Sequence, residues 1–275
     1  MKVKYILYCI VFYCISCSSN AGEIKNPPGY DLSKPEKFIL PGVLTEISGI
    51  AMYNDSIFAE QDEEGKVFHF KLGDKEIVTT KFGKKGDYED ISICNAEVFV
   101  LKSNGSLFSF PLTVIQNKEL ENVQEWKDLL PAGEYEGMYA DQANNNLYIL
   151  CKHCDDDKVL KGYIFKLGTD SITPTGNFSV DIKSIAASTG EKKIKFHPSG
   201  LAKNPLTSEW YILSSVNKLL LVTDSNWTVK DTYPLPVSLF NQPEGITFDN
   251  QGNLYISNEG GDTSEGNIFK FTQKK

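Results

Sequence analysis

Three glutamates at one recurring turn position are the residues of this 275-residue chain best placed to do chemistry. Five stretches, EISGIA, DYEDIS, EYEGMY, HPSGLA and QPEGIT, share a small or acidic residue, a turn and an apolar strand. The residue before the turn glycine reads Ser48, Glu89, Glu136, Ser199 and Glu244, with Asp90 standing where the other repeats have glycine. Carboxylates gathered on one axis cannot all stay charged and unpaired. Either a proton is taken up, a cation sits among them, or they accept backbone N–H groups of neighbouring elements. Ca2+ suits an oxygen cage of this kind, because it takes about six to eight oxygen ligands in irregular geometry. The column holds no thiolate or imidazole, which argues against zinc or copper.

A second column falls where the following strand ends: Asp62, Lys102, Lys152, Ser215 and Glu259. Its mixed charges suit either a ligand held above the ion or a solvated rim. His197 precedes the fourth turn, where capping is the expected role rather than general-base chemistry. The other histidines are His69 and His153. A G-x-S-x-G elbow, an H-E-x-x-H pair and a phosphate-cradling glycine loop are all absent. Cys151-Lys-His-Cys154 has redox or metal spacing. It lacks a thioredoxin-like surround, a second cysteine pair and the histidine of a haem attachment motif, which leaves a loop disulfide or two free thiols.

Hairpins must position these residues. Each repeat continues into a polar tight turn and an alternating strand, as in ITFDNQGNLYISN, and alternation of period two bounded by Asn, Asp and Gly is the hairpin signal. The apolar residues after the turns, Ile50, Ile91, Met138, Leu201 and Ile246, are spaced 41, 47, 63 and 45 residues apart. Such periods indicate four-stranded propeller blades, so the expected fold is all-β with five blades. Only GNIFKFTQKK follows the fifth hairpin, enough for a third strand but not a fourth. The apolar run Phe38 to Leu40 is expected to supply the missing outer strand and close the ring. The long fourth step leaves an insertion around Gly176 to Phe196, basic through Lys183, Lys192, Lys193 and Lys195. It reads either as a solvated blade connection or as a platform for a partner.

The chain opens with Lys2 and Lys4, an apolar run from Tyr5 to Ile15, and then Cys17-Ser-Ser-Asn. The run is too short to span a bilayer and has the order of a secretory signal. The expectation is a lipoprotein-type signal over residues 1–16, lipid on Cys17, a tether over 17–36 and a propeller over 37–275. Lipid on Cys17 would hold the domain at a membrane of the bacterial envelope, periplasmic or surface-exposed. The net charge is -8, and without Lys2 and Lys4 there remain 26 basic and 36 acidic residues, a net of -10. That balance argues against a nucleic-acid partner.

The combination of EISGIA, DYEDI, YEGMYAD, HPSGLA with WYILSS, and QPEGITFDNQGNLYISNEG, over residues 44–271, resembles the SdiA-regulated protein family. The resemblance implies a five-bladed propeller, distantly similar to NHL-repeat proteins, with a calcium site whose ligands by position are Glu89, Glu136 and Glu244. It implies an architecture and an ion rather than a reaction. The leading expectation is therefore a tethered calcium-binding module for a ligand or an envelope protein. The alternative is a calcium-dependent hydrolase of phosphoesters, lactones or glycosides. In the glycoside case Glu136 and Glu244 would be the acid and the nucleophile or base, unless an ion neutralises them.

Overall fold

The computed structural model describes residues 24–154, 156–261 and 264–274. The expected signal segment and Cys17 lie outside the described residues. Among those described, no helix is long and apolar enough to cross a membrane.

Five sheets of four antiparallel strands form the ring. The first strand in the chain, β1 (Glu36–Ile39), belongs to the last blade. Blade 1 is β2 (Ile47–Tyr53), β3 (Ser56–Gln61), β4 (Lys66–Phe70) and β5 (Val78–Lys81). Blade 2 is β6 (Tyr88–Cys94), β7 (Glu97–Lys102), β8 (Leu107–Pro111) and β9 (Gln124–Trp126). Blade 3 is β10 (Glu134–Asp141), β11 (Asn146–His153), β12 (Val159–Leu167) and β13 (Ile172–Asp181). After the helix α1 (Ile182–Thr189), blade 4 follows as β14 (Gly200–Lys203), β15 (Trp210–Ser214), β16 (Leu219–Thr223) and β17 (Val229–Pro234). Blade 5 is β18 (Gln242–Phe248), β19 (Leu254–Glu259) and β20 (Asn267–Phe271), completed by β1 in register Phe38 with Ile268. The closure expected from Phe38 to Leu40 thus occurs, with the strand starting two residues earlier.

Local chemistry explains the hairpins. Asn54 and Asp55, at φ 47° and 60°, form the two-residue left-handed turn between β2 and β3, a conformation these short polar side chains tolerate. Apolar faces of adjacent blades then stack. Between blades 1 and 2, Phe58, Val67, Tyr88, Ile91 and Val98 are all buried. Each such side chain contributes about 1.5–3 kcal/mol when fully removed from water.

Two sequence expectations are refined here. The tether expected over 17–36 is packed in its second half. Tyr30 and Leu32 are buried against blades 4 and 5, and the Tyr30 hydroxyl donates to the Gly252 carbonyl at 2.6 Å. The insertion from Gly176 to Phe196 is likewise partly core. It continues β13 and then forms α1, capped by Asp181, whose side chain accepts from the Lys183 N–H, and ended by left-handed Gly190. Ile185 and Phe196 fill the seam between blades 3 and 4, while Lys192, Lys193 and Lys195 stay exposed.

Candidate functional site

The turn glycines set how close the blades come. A Cβ on Gly245 would lie 2.5 Å from the Ser48 carbonyl oxygen, and one on Gly49 would lie 2.5 Å from the Asp90 Cα. Only a hydrogen fits there. This approach lets hydroxyls of one blade reach carbonyls of the next. Ser48 donates to Glu89 O at 3.1 Å, Ser92 to Met138 O at 3.2 Å, Ser199 to Pro243 O at 2.9 Å, and Ser257 to Ser48 O at 2.8 Å.

Next to those glycines, Ser48, Glu89, Glu136, Ser199 and Glu244 line one axial funnel, a cavity of about 450 Å3. Asp62, Lys152, Ser215 and Glu259 from the second column line it too. Two of the expected residues do not. Asp90 is buried in the wall, its carboxylate accepting the Met138 N–H at 2.6 Å and its own neighbour Ile91 N–H at 2.8 Å, so it braces blade 2 on blade 3. Lys102 instead sets its ammonium 5.3 Å from the centre of the Tyr88 ring.

Glu46, Asp87, His197 and Gln242 also line the funnel. They were visible as a further column, two residues upstream of the first, because alternate residues of a strand share a face. The fifth member, Glu134, pairs with the His153 imidazole. Lys218 enters from the β15–β16 loop, which no repeat position marks. Behind the wall, Glu60 is fully buried on β3, with Oε1 accepting the Gly49 N–H at 2.6 Å and Oε2 unpartnered. Its signal was a charged residue directly after the apolar run Ile57-Phe58-Ala59.

The funnel's charge is unbalanced. Seven carboxylates face it, with two lysines. Burial is the main cause that pushes Glu89 up to about 9, followed by the fields of Glu136 and Asp87. Burial and Glu136 raise Glu244 to about 7, and burial, a hydrogen bond with Glu46 and that neighbour's charge raise Glu259 to about 8. Burial raises Glu136 too, although Lys152 pairs with it and opposes the shift. For Lys152 itself burial works against the charge, but the hydrogen bond and the fields of Glu136, Glu89 and Glu244 prevail and raise it. His197 is lowered by burial and by His153 and Lys152. Its backbone is the capped part: the N–H donates to Asn217 Oδ1 at 3.2 Å and the carbonyl accepts from Ser214 at 2.6 Å. Its Nδ1 is buried without a partner, and its ring lies 4.8 Å from that of His153.

Oxygen donors in this number fit a hard cation, and buried Asp62 Oδ1, which has no hydrogen-bond partner, is an oxygen that a cation would satisfy. Among the described residues no three His, Cys, Asp or Glu side chains are already gathered at ligand geometry, so holding an ion would require rotation of the glutamates about their side-chain bonds. At the rim, Cys151 and Cys154 form a disulfide, the first of the two alternatives that the sequence leaves open.

Residues 26–269 match the family model described as SdiA-regulated. No curated protein is similar in sequence. Among solved structures, the glutaminyl cyclase of Myxococcus xanthus is 13% identical with a TM-score of 0.56, over 88% of this chain and 98% of that one. A luciferin-regenerating enzyme is 10% identical with a TM-score of 0.54, over 87% of this chain and 95% of that one. At such identity the likeness is one of fold alone.

Proposed function

Because the chain belongs to the SdiA-regulated family, we propose that its propeller is a calcium-dependent binding module in which Glu89, Glu136 and Glu244 hold the ion and the funnel mouth takes a ligand or an envelope protein. The observation that carries this reading is the excess of seven carboxylates over two lysines in one cavity. A divalent cation would supply the missing positive charge and let the raised carboxyls ionise. We further propose that lipid on Cys17 tethers the module to the membrane, which the order of charges and apolar residues at the start of the chain supports. The hydrolase reading draws on a different observation, the Glu244 carboxyl held at about 7, where an acid–base group works well. Phosphoesters, lactones and glycosides are the substrates on which to test it.

Thermal unfolding with EDTA and then with added Ca2+ tests the ion. A ligand at one hundred times its Kd stabilises by about 2.7 kcal/mol. The wild type should shift by that order, and the combined variant E89Q/E136Q/E244Q should not. An equal response in both would refute the assignment. For the tether, C17S should move the protein from the membrane to the soluble fraction of fractionated cells.

A further inference from the structure

Two lysines line the funnel, and of these Lys152 is the one paired with a glutamate. Lys152 pairs with Glu136, and its ammonium also lies in the fields of Glu89 and Glu244. It therefore occupies electrostatically the place that a metal ion would take. How Lys152 is held is unusual. It is the first of two residues enclosed by the Cys151–Cys154 disulfide, and the second, His153, is held on Glu134 and against the ring of His197 in the funnel wall. The ladder of β11 on β10 is irregular at this point, with register shifts on either side of Tyr135 opposite Cys151. A shift recurs at the matching turns of blades 1, 2 and 5, so what sets this segment apart is the disulfide. Closing a short loop removes conformational freedom that the open segment would regain.

We infer that Lys152 is a tethered counter-ion that competes with a metal cation for the funnel glutamates, and that the Cys151–Cys154 disulfide sets this competition. The inference rests on the calcium reading for its first readout only. With the ring closed, Lys152 is kept on Glu136 and the ion must displace it. With the ring open, Lys152 leaves, the funnel gains one uncompensated negative charge, and the ion binds more tightly. A dithiol reductant is the co-reactant. Its thiolate attacks Cys154, because Cys151 is only 3% exposed and Cys154 is half-buried at a surface cleft. The Cys151–Cys154 bond breaks, and the electron pair passes to the Cys151 sulfur, which takes a proton. The second thiol of the reductant then resolves the mixed disulfide, leaving two cysteine thiols and an oxidised, cyclic reductant.

Two measurements on the folded domain test this, with circular dichroism confirming that the reduced protein stays folded. In the first, Ca2+ affinity is measured by calorimetry before and after dithiothreitol. Reduction should tighten binding about three- to tenfold in the wild type, a range expected for loss of one partly buried ion pair. K152Q should bind tightly in both states and show no response to reduction. A response of the same size in K152Q, or a wild type that binds Ca2+ equally tightly in both states, would overturn the inference. In the second, amine acylation is followed by mass spectrometry without any metal. Lys152 should be protected when oxidised and labelled several times faster when reduced or in C154A, with Lys192 as an exposed internal standard. Failure of the calcium reading alone would leave this labelling contrast intact, whereas equal labelling in both states would sink the switch.

Discussion

The funnel and the wall directly behind it bury carboxylates in opposite ways, and two consecutive residues show it. Asp90 is enclosed in the wall, and both its oxygens accept backbone N–H groups, one from the neighbouring blade. Glu89, one residue earlier, faces the cavity among other carboxylates and is pushed up to about 9. Burial pushes the Asp90 carboxyl up as well, but its two oxygens are answered by N–H dipoles that fold with it. Glu89 depends on something arriving, whether a proton, a lysine or an ion. A buried carboxyl is thus structural when the backbone answers its oxygens and receptive when only other side chains face it.

The comparison is broken most sharply at Asp90. D90A should leave two buried N–H groups unpaired and cost about 3 kcal/mol in chemical denaturation, with Ca2+ unable to restore it. E89Q should behave in the contrary sense. At pH 7 without metal it should be nearly silent, since Glu89 already carries its proton, but much of the Ca2+-dependent gain of about 2.7 kcal/mol should vanish. An E89Q protein as unstable as D90A would show that Glu89 is part of the wall.

A smaller effect separates the rim from both. Glu259 has a folded-state value of about 8 against an ordinary 4.5, so the stability it contributes is full below the ordinary value and is lost as pH rises through about 8. The ion-free wild type should therefore lose melting temperature between pH 5 and pH 8, and E259Q should flatten that decline. The smallest change expected is in S92A. It removes a single bond to Met138 O at 3.2 Å in the seam that Asp90 already braces, so it should cost about 1 kcal/mol.

Much of this was legible in the chain. The repeated turn with its alternating strands carries five blades, since each hairpin is a local product of period and turn chemistry, and the unmatched ends announce the closing strand. The first column reached the funnel for the same reason. Asp90 was not legible, because its role depends on the absence of a side chain at Gly49 and on an N–H of blade 3, which are distant in sequence. Lys102 and Lys152 occupy equivalent positions, each in a blade with a tyrosine before its glutamate, so the repeat did not foretell that the first would lie by Tyr88 and the second on Glu136. Tyr30 and Leu32 looked like linker because a lone apolar residue between polar ones has no periodicity to reveal that it is buried.

The closing of blade 5 has a consequence in time. β1 is among the first parts of the ring to be synthesised, yet Phe38 must wait for Ile268 before it has a partner. Four blades can form behind it while the fifth remains open, and contacts so distant along the chain are slow to form. During that interval the nascent protein carries an unpaired outer strand and an exposed final blade edge. That edge is covered only once β20 has been made and β1 docks on it.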